Sequence, residues 1–180
     1  MEYLIGGAAV LISAISLQVA VNANRTQEKL LAASTWPHVQ YGTGNRLEDG
    51  TDSITLSLQN AGVGPARLHW VRVSYLGKPQ SDAAALLDAC CGPSELPRPT
   101  ITTSTERVLT PGAELTFFRY DLKTDPAGTW PVLNDARFDV RVQACYCSVL
   151  EDCWTLDSEG GEPAPVAACP AVPETERWHG

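Results

Sequence analysis

Basic side chains are scarce in this sequence, and charge of either sign is sparse. The 180 residues contain 13 Lys and Arg against 21 Asp and Glu, which gives a formal net charge of −8. Nucleic-acid binding depends on clustered Lys and Arg, so this balance argues against nucleic acid as a partner. The hydrophobic fraction of 44% is enough to bury a core, which excludes a wholly disordered chain. The length fits one domain with an attachment segment.

The signatures of common hydrolases and metalloproteases are also missing. The sequence has no HExxH and no GxSxG, and its only histidines are His38, His69 and His179. We interpret His38 and His69 as structural, since they lie in or beside predicted strands. The segment NAGVGPA at residues 60–66 lacks the Lys-Ser/Thr pair of a phosphate-binding loop, so we interpret it as a tight turn. We expect a protein that binds rather than an enzyme, with no cofactor and no metal.

Charge is absent from residues 3–21, whose sequence is YLIGGAAVLISAISLQVAV. A helix of this length rises about 28 Å, close to the ~30 Å hydrocarbon core of a membrane. A cleaved signal peptide would need a basic segment before the apolar run, and residues 1–3 carry no Lys or Arg. We therefore predict an uncleaved transmembrane helix in contact with membrane lipid. It should continue as a helix to residue 34 and end at Trp36-Pro37, because proline disfavours helical geometry in the residue before it.

Small side chains recur on one face of this predicted helix at spacings of three and four residues. Such a stripe lets two membrane helices approach closely, and its serines can donate hydrogen bonds across the contact. Small residues are common in any membrane helix, so a lone anchor is the alternative. We predict packing against other transmembrane subunits of a complex through Gly6, Ala9, Ser13, Ser16, Ala20 and Ala23.

Two opposing signals bear on the side of the membrane that carries the rest of the chain. Arg25 and Lys29 follow the predicted span, which by the positive-inside rule favours the cytoplasm. Six cysteines favour an oxidising compartment. We expect the soluble domain on the periplasmic side, and the cytoplasmic side is the alternative.

Alternating hydrophobicity predicts an all-β domain over residues 38–157. The segment SITLSLQ at residues 53–59 alternates apolar and polar side chains, and so do residues 71–75, 115–120 and 138–146. Turn signals such as Thr110-Pro111-Gly112 separate these strands. One helix is predicted at residues 81–89, with Ser81 as its N-cap. Short strands separated by turns favour an antiparallel β-sandwich.

The cysteines supply the main candidates for chemistry. Cys145 and Cys147 lie two residues apart on a predicted strand and so share a face, and a turn at residues 150–152 can return Cys153 to a place opposite Cys147. We favour disulfides, with the connectivity left open. A zinc site and free or redox-active thiols are the alternatives, although no Cys-x₂-Cys pair is present. The disulfide candidates are Cys90, Cys91, Cys145, Cys147, Cys153 and Cys169.

The last segment, residues 158–180, is rich in proline and glycine. Such a sequence prefers extended geometry and cannot form a core of its own. It is either a disordered tail or a strap laid on the domain or a partner. Cys169 favours the strap, because a cysteine in an oxidising compartment usually has a partner.

Three motifs together resemble a broad group of bacterial membrane-anchored proteins. These are STWP at residues 34–37, NAGVGPA at residues 60–66 and CYCSVLEDCW at residues 145–154. The resemblance implies a mainly-β fold in which a single transmembrane helix at residues 1–37 precedes an immunoglobulin-like β-sandwich at residues 38–157. It implies location in the bacterial inner membrane and assigns no role to any residue. The Cys90-Cys91 pair and the tail at 158–180 lie outside that pattern.

From these observations we expect a non-catalytic accessory or structural subunit of a bacterial membrane protein complex. It would be anchored by one helix and would bind partners through its β-sandwich. The alternative is a membrane-anchored redox or metal-binding protein that uses the thiols of Cys145, Cys147 and Cys153. A receptor for a small ligand is a third hypothesis, because the loops of a sandwich can bind many ligands.

Overall fold

The computed structural model describes residues 2–92, 100–101, 107–125 and 128–179, with the side chains of the first helix described from residue 12 onward. The chain divides into two compact units, Met1–Thr35 and Trp36–Gly180. Over the described residues the second unit contains two short α-helices and ten β-strands, and every strand pairing is antiparallel. The mainly-β class and the antiparallel pairing predicted from the sequence are confirmed.

The first unit is the helix α1, Glu2–Ser34. It ends where the sequence predicts, in a turn at Thr35 whose backbone N–H and hydroxyl both donate to the carbonyl of Leu31. Among the described residues, no helix combines the length and the apolar character needed to cross a membrane. The predicted packing positions Gly6 and Ala9 lie outside the residues whose side chains are described.

The second unit contains two sheets. The first sheet has the strand order β1-β2-β7-β5, and the second has the order β10-β9-β8-β3-β4, with β6 beside the other end of β3. In chain order the strands are β1 (Val39–Arg46), β2 (Asp52–Asn60), β3 (Ala66–Tyr75), β4 (Lys78–Gln80), β5 (Thr100–Ile101), β6 (Val108–Leu109), β7 (Glu114–Asp121), β8 (Val140–Cys147), β9 (Cys153–Asp157) and β10 (Ala164–Val166).

Side chains from both sheets meet in one hydrophobic core, as their alternating pattern predicts. The fully buried members include Ile54, Leu56 and Leu58 of β2, Phe117 and Phe118 of β7, Val71 and Val73 of β3, and Val142, Ala144 and Tyr146 of β8. The predicted strand at residues 138–146 begins too early. Phe138 is 70% exposed in a 3₁₀ turn, Arg137–Asp139, where the Arg137 guanidinium lies 4.2 Å from its ring centroid, and the strand starts at Val140.

Two helices flank the strands. The helix α2 spans Ala83–Cys91, so the predicted helix at 81–89 with Ser81 as N-cap is displaced by two residues. The cap is Asp82, whose carboxylate accepts the backbone N–H of Ala85 at 2.9 Å, while the Ser81 hydroxyl donates to the same carboxylate. That backbone N–H bond holds the pKa of Asp82 below its ordinary value.

The helix α3, Thr129–Ala136, was not predicted. It follows Gly128, whose φ of +70° favours glycine, and it contains Pro131 in its first turn, where a missing N–H costs nothing. The Asp125 carboxylate accepts the backbone N–H groups of Thr129 and Trp130 at 3.0 and 2.7 Å. The Asp125 carboxylate, four residues before Thr129, therefore stabilises the start of a helix that the sequence of residues 129–136 does not indicate.

The NAGVGPA segment, residues 60–66, clamps the chain where the second unit begins. The Asn60 side chain is fully buried, and its amide donates to the carbonyls of Gly64 and Leu109 while its oxygen accepts from His38 and Gly62. The backbone N–H groups of residues 61, 63 and 64 donate to carbonyls of Trp36 and His38. These groups are used within the protein, which agrees with a structural turn.

Gly62 allows this close approach, which leads to a first prediction. A Cβ at Gly62 would collide with the His38 backbone nitrogen and lie 2.6 Å from the Trp36 carbonyl oxygen. Because the obstacle is backbone rather than a flexible side chain, we expect Gly62→Ala to lower the free energy of unfolding by about 3 kcal/mol or more. Denaturant unfolding followed by tryptophan fluorescence measures the change.

The control is Gly161→Ala, since no heavy atom lies within 4 Å of a Cβ built there. We expect this variant to stay within about 0.5 kcal/mol of the wild type. Equal stability of the two variants would contradict the proposed close packing of Gly62 against the backbone of Trp36 and His38.

Candidate functional site

The strongest candidate site is the outer face of the second sheet, which is covered by residues 158–179, hereafter the strap. The strap begins beside β9, where its strand β10 pairs with Cys153–Asp157. It then lies over β8, where Cys169 is bonded to Cys145. Next it reaches β3, where the Trp70 indole N–H donates to the carbonyl of Pro170 at 2.9 Å. Of the two predicted alternatives for this segment, the structure has the strap.

Trp178 is the anchor of the strap. Its backbone N–H donates to the Val71 carbonyl at 2.8 Å, in the stretch of β3 between the residues paired with β6 and those paired with β4. Its side chain is 0% exposed and meets the rings of Phe117 and Phe118 edge-on, at centroid distances of 5.9 and 6.4 Å. The strap thus contributes one of the largest side chains of the core.

Ion pairs on the outer face surround these contacts. Arg72 of β3 pairs with Glu176 of the strap at 2.7 Å. Arg141 of β8 forms a bidentate salt bridge with Asp157, the last residue of β9 before the strap. The hydrogen bond from the Arg141 guanidinium holds the pKa of Asp157 below its ordinary value.

All six cysteines are paired in disulfides. Cys90 bonds Cys91 at the end of α2, Cys147 bonds Cys153 across the β8–β9 hairpin, and Cys145 bonds Cys169. In the hairpin, Cys147 and Cys153 stand directly opposite one another in the strand register, as the predicted turn at 150–152 requires. The Cys145–Cys169 bond closes a longer loop than Cys147–Cys153, with sequence separations of 24 and 6. Chain-entropy arguments therefore assign it the larger stabilisation, about 3 against about 2 kcal/mol.

Two of these disulfides lie side by side. The Sγ atoms of Cys147 and Cys169, which are not bonded to each other, are 3.8 Å apart. Cys145, Cys147 and Cys153 are buried and Cys169 is half-buried. With His69 they form a group that we call the cysteine–histidine cluster, made up of His69, Cys145, Cys147, Cys153 and Cys169.

His69 enters the cluster through an irregularity in β3. The strand register runs from Leu68 opposite Tyr146 directly to Trp70 opposite Cys145, so His69 is the extra residue of a β-bulge. One of its ring nitrogens lies within 4.8 Å of the Sγ atoms of both Cys147 and Cys169. Its Nε2 is buried and has no hydrogen-bond partner among the described residues.

The cluster opens to solvent at one end. A cavity of about 410 Å³ is lined by residues that include Arg67, His69, Trp70, Cys169 and Arg177. The two arginines pair with Glu151 and Glu174 at 2.7 and 3.1 Å, and the glutamate is the more exposed partner in each pair. The rim of the cavity therefore carries paired charges of both signs, and Cys169 forms part of its lining.

The histidine and the two nearest sulfurs have the ligand types of a zinc site. A zinc ligand is a thiolate, however, and both sulfurs are bonded in disulfides. In this oxidised form the chemistry open to the cluster is therefore thiol–disulfide exchange rather than metal binding.

Comparison of the chain with known protein families, with curated proteins and with solved structures finds no match. Arguments about its function therefore depend on the geometry of the chain itself. The predicted helix-packing positions with described side chains, which are Ser13, Ser16, Ala20 and Ala23, are exposed on α1.

Sequence reasoning placed three cysteines of the hairpin together but missed two contributors. His69 was interpreted as structural, because nothing in its neighbours signals a bulge. Trp178 lies in a segment rich in proline and glutamate that gives no sign of a core residue. The pairing of Cys169 with Cys145 depends on the path of the strap, which no local pattern encodes.

The buried anchor gives a second prediction. Replacing a fully buried tryptophan with alanine leaves a large cavity, so we expect Trp178→Ala to lower the free energy of unfolding by about 3–5 kcal/mol. We also expect the strap to become sensitive to limited proteolysis, because its last anchor is lost. The control is Trp36→Ala, whose side chain is 45% exposed and should cost far less. Similar losses in both variants would contradict the anchoring role.

Proposed function

We propose that this chain is a single-pass, membrane-anchored binding subunit, an accessory or structural component of a larger bacterial membrane complex. The observation that carries the proposal is the uncovered apolar surface of α1. Ile12, Ile15, Leu17 and Val19 are between 62% and 67% exposed. Exposed apolar surface on this scale marks contact with lipid or with another protein. Residues 3–21 also carry no charge, which agrees with a position in the membrane.

We further propose that the two antiparallel sheets form an immunoglobulin-like sandwich that presents the binding surface. The shared core of β2, β7, β3 and β8 supports this arrangement. The residues that could suggest chemistry elsewhere serve structural roles, since Asn60 holds a turn and Asp82 and Asp125 cap helices. This use of polar side chains supports binding rather than catalysis.

The three disulfides support a periplasmic location for the second unit. Disulfides persist in oxidising compartments and are rare in the cytosol. Arg25 and Lys29 favour the opposite orientation by the positive-inside rule. We give more weight to the disulfides, because all six cysteines are paired and one pair ties the strap to β8.

Membrane attachment is tested by fractionation of cells that express the full chain. We expect the protein to stay in the membrane after alkaline carbonate washing, and we expect Ile12→Lys/Ile15→Lys to release it, because a charge at the centre of a span costs about 3 kcal/mol. The matched control is Leu30→Lys/Leu31→Lys, which changes two exposed leucines beyond residue 21 and should remain bound. Release of the wild-type protein by carbonate would overturn the anchor.

The accessory role is tested by co-purification after mild detergent extraction. Ser13→Leu/Ser16→Leu/Ala20→Leu fills the small-residue face and should remove a partner that co-purifies with the wild type, since the helices could no longer approach closely. The control, Ile12→Leu/Ile15→Leu/Val19→Leu, changes other faces by little volume and should retain the partner. An unchanged set of co-purified proteins in the first variant would contradict the packing face.

A further inference from the structure

We propose that the cysteine–histidine cluster is a thiol–disulfide exchange centre, which reacts with a small external thiol at Cys169 and transfers the disulfide from Cys147–Cys153 to Cys147–Cys169. This activity concerns the outer face of the second sheet and does not depend on membrane attachment. Its failure would leave the proposed anchoring function untouched.

The first support is the spacing of the sulfurs. Exchange requires a thiolate to reach a disulfide sulfur at contact distance. Cys147 and Cys169 belong to different disulfides, and their Sγ atoms are 3.8 Å apart. A thiolate formed on Cys169 would thus already lie against a sulfur of the second disulfide.

The second support is the access to the sulfurs over the residues that the structure describes. Cys145, Cys147 and Cys153 are 0%, 1% and 6% exposed, whereas Cys169 is half-buried and lines the cavity of about 410 Å³. An external thiol that enters the cavity therefore meets Cys169 first. The cavity is large enough to admit a small thiol such as a short peptide thiol.

The third support is the histidine. A neutral imidazole nitrogen can accept the proton of an entering thiol, and it must be near the sulfur and free to do so. A His69 ring nitrogen lies within 4.8 Å of the Cys169 and Cys147 sulfurs, and Nε2 is buried without a partner among the described residues. The β-bulge that places His69 there would otherwise leave a polar atom buried at a cost of about 1–3 kcal/mol.

The chemistry is balanced in three steps. An external thiol RSH gives its proton to His69 and attacks the Cys169 sulfur, so that the Cys145–Cys169 bond breaks, RS–Cys169 forms and Cys145 takes up the proton. A second RSH attacks the RS sulfur, which releases RSSR and leaves Cys169 as a thiolate. That thiolate attacks Cys147, the Cys147–Cys153 bond breaks, and Cys153 leaves as a thiolate that is protonated. Two thiols are oxidised to RSSR, and one protein disulfide becomes two thiols.

The product has a recognisable pattern. Cys169 is now bonded to Cys147, so the strap stays tied to β8, and the free thiols are Cys145 and Cys153. Simple reduction of the exposed bond would instead leave Cys145 and Cys169 free with Cys147–Cys153 intact. The two outcomes differ in which cysteines become alkylated.

The test uses the folded full-length protein in detergent with reduced glutathione as the probe. The reaction is stopped with acid at intervals, free thiols are alkylated, and disulfide-linked peptides are identified by mass spectrometry. We expect a Cys147–Cys169 peptide to appear together with alkylated Cys145 and Cys153. Alkylation of Cys145 and Cys169 alone, or no reaction until a denaturant is added, would overturn the proposal.

A variant tests the internal step without an external thiol. Cys145→Ser removes the disulfide partner of Cys169. We expect Cys169 to form a disulfide with Cys147, which leaves Cys153 as the one free thiol among the three remaining cysteines of the cluster. The native Cys147–Cys153 bond with a free Cys169 would contradict exchange. A Cys90→Ser/Cys91→Ser background keeps the vicinal pair out of the analysis, and the wild-type experiment stands if a variant does not fold.

His69→Gln tests the base. We expect the glutathione reaction at pH 7 to slow by about tenfold or more, and the difference to shrink at pH 9, where thiols ionise without help. A purely structural histidine would change the rate equally at both pH values. An equal effect at pH 7 and pH 9, or none at either, would remove His69 from the mechanism.

Discussion

The burial of Trp178 is the constraint on which the outer face of the second sheet depends. A segment with little regular secondary structure has few contacts to oppose its conformational entropy. Here the strap places the indole of Trp178 against Phe117 and Phe118, and its backbone donates a hydrogen bond to Val71 of β3. Once Trp178 is fixed, the proline-rich segment before it has little conformational freedom. Proline adds to this effect, since its own φ is already restricted in the unfolded chain.

Because the strap is held at both ends, it brings Cys169 next to residues of β3 and β8 that are distant from it in the sequence. Its first end is the β10–β9 pairing and its last end is Trp178, and Cys169 lies between them. The Cys145–Cys169 bond is then formed between residues already held close, so it reinforces a path that packing has set. Similarly, the cavity beside Cys169 exists because the strap passes over Trp70 and leaves space between Arg67 and Arg177. The candidate site is thus a consequence of the path of the strap.

Local sequence patterns predicted the strands and the helix end that depend mainly on neighbouring residues. The period-two alternation of β2, β7 and β8 identified strands because one face of each meets the core, and the run of helix formers before Trp36-Pro37 identified the end of α1. The start of β8 was misplaced, because Phe138 continues the alternation in sequence while the preceding helix carries the chain into a 3₁₀ turn. The helix α3 was missed since Pro131 reads as a breaker when its position within the helix is unknown.

The candidate site was predictable only in part, for a related reason. Cys147 and Cys153 are partners across a hairpin, so a two-residue period and a turn were enough to place them together. His69 and Cys169 reach the same place through a bulge and a strap, and both are properties of long-range packing. Cys169 lies 22 residues from Cys147 in the sequence, and His69 is more distant still, so no periodic pattern connects them. The small-residue stripe of α1 differs from these residues, because it is a local pattern in the sequence and its proposed partner is not part of this chain.

The redox state of the cysteines bears both on the proposed membrane anchor and on the cysteine–histidine cluster. Disulfides that persist need an oxidising compartment, whereas exchange needs thiols to be supplied, and both conditions are met where oxidants and small thiols coexist. A protein fixed near a membrane surface by one helix would stay in one such compartment, with its Cys169 cavity exposed to it. In the opposite orientation, a reducing pool of thiols would act on the half-buried Cys169 first and on the buried Cys147–Cys153 bond through it. In either proposed orientation, therefore, the Cys145–Cys169 bond would open before the Cys147–Cys153 bond, because burial sets this order. The orientations would differ only in whether the cysteines are mainly oxidised or mainly reduced at rest.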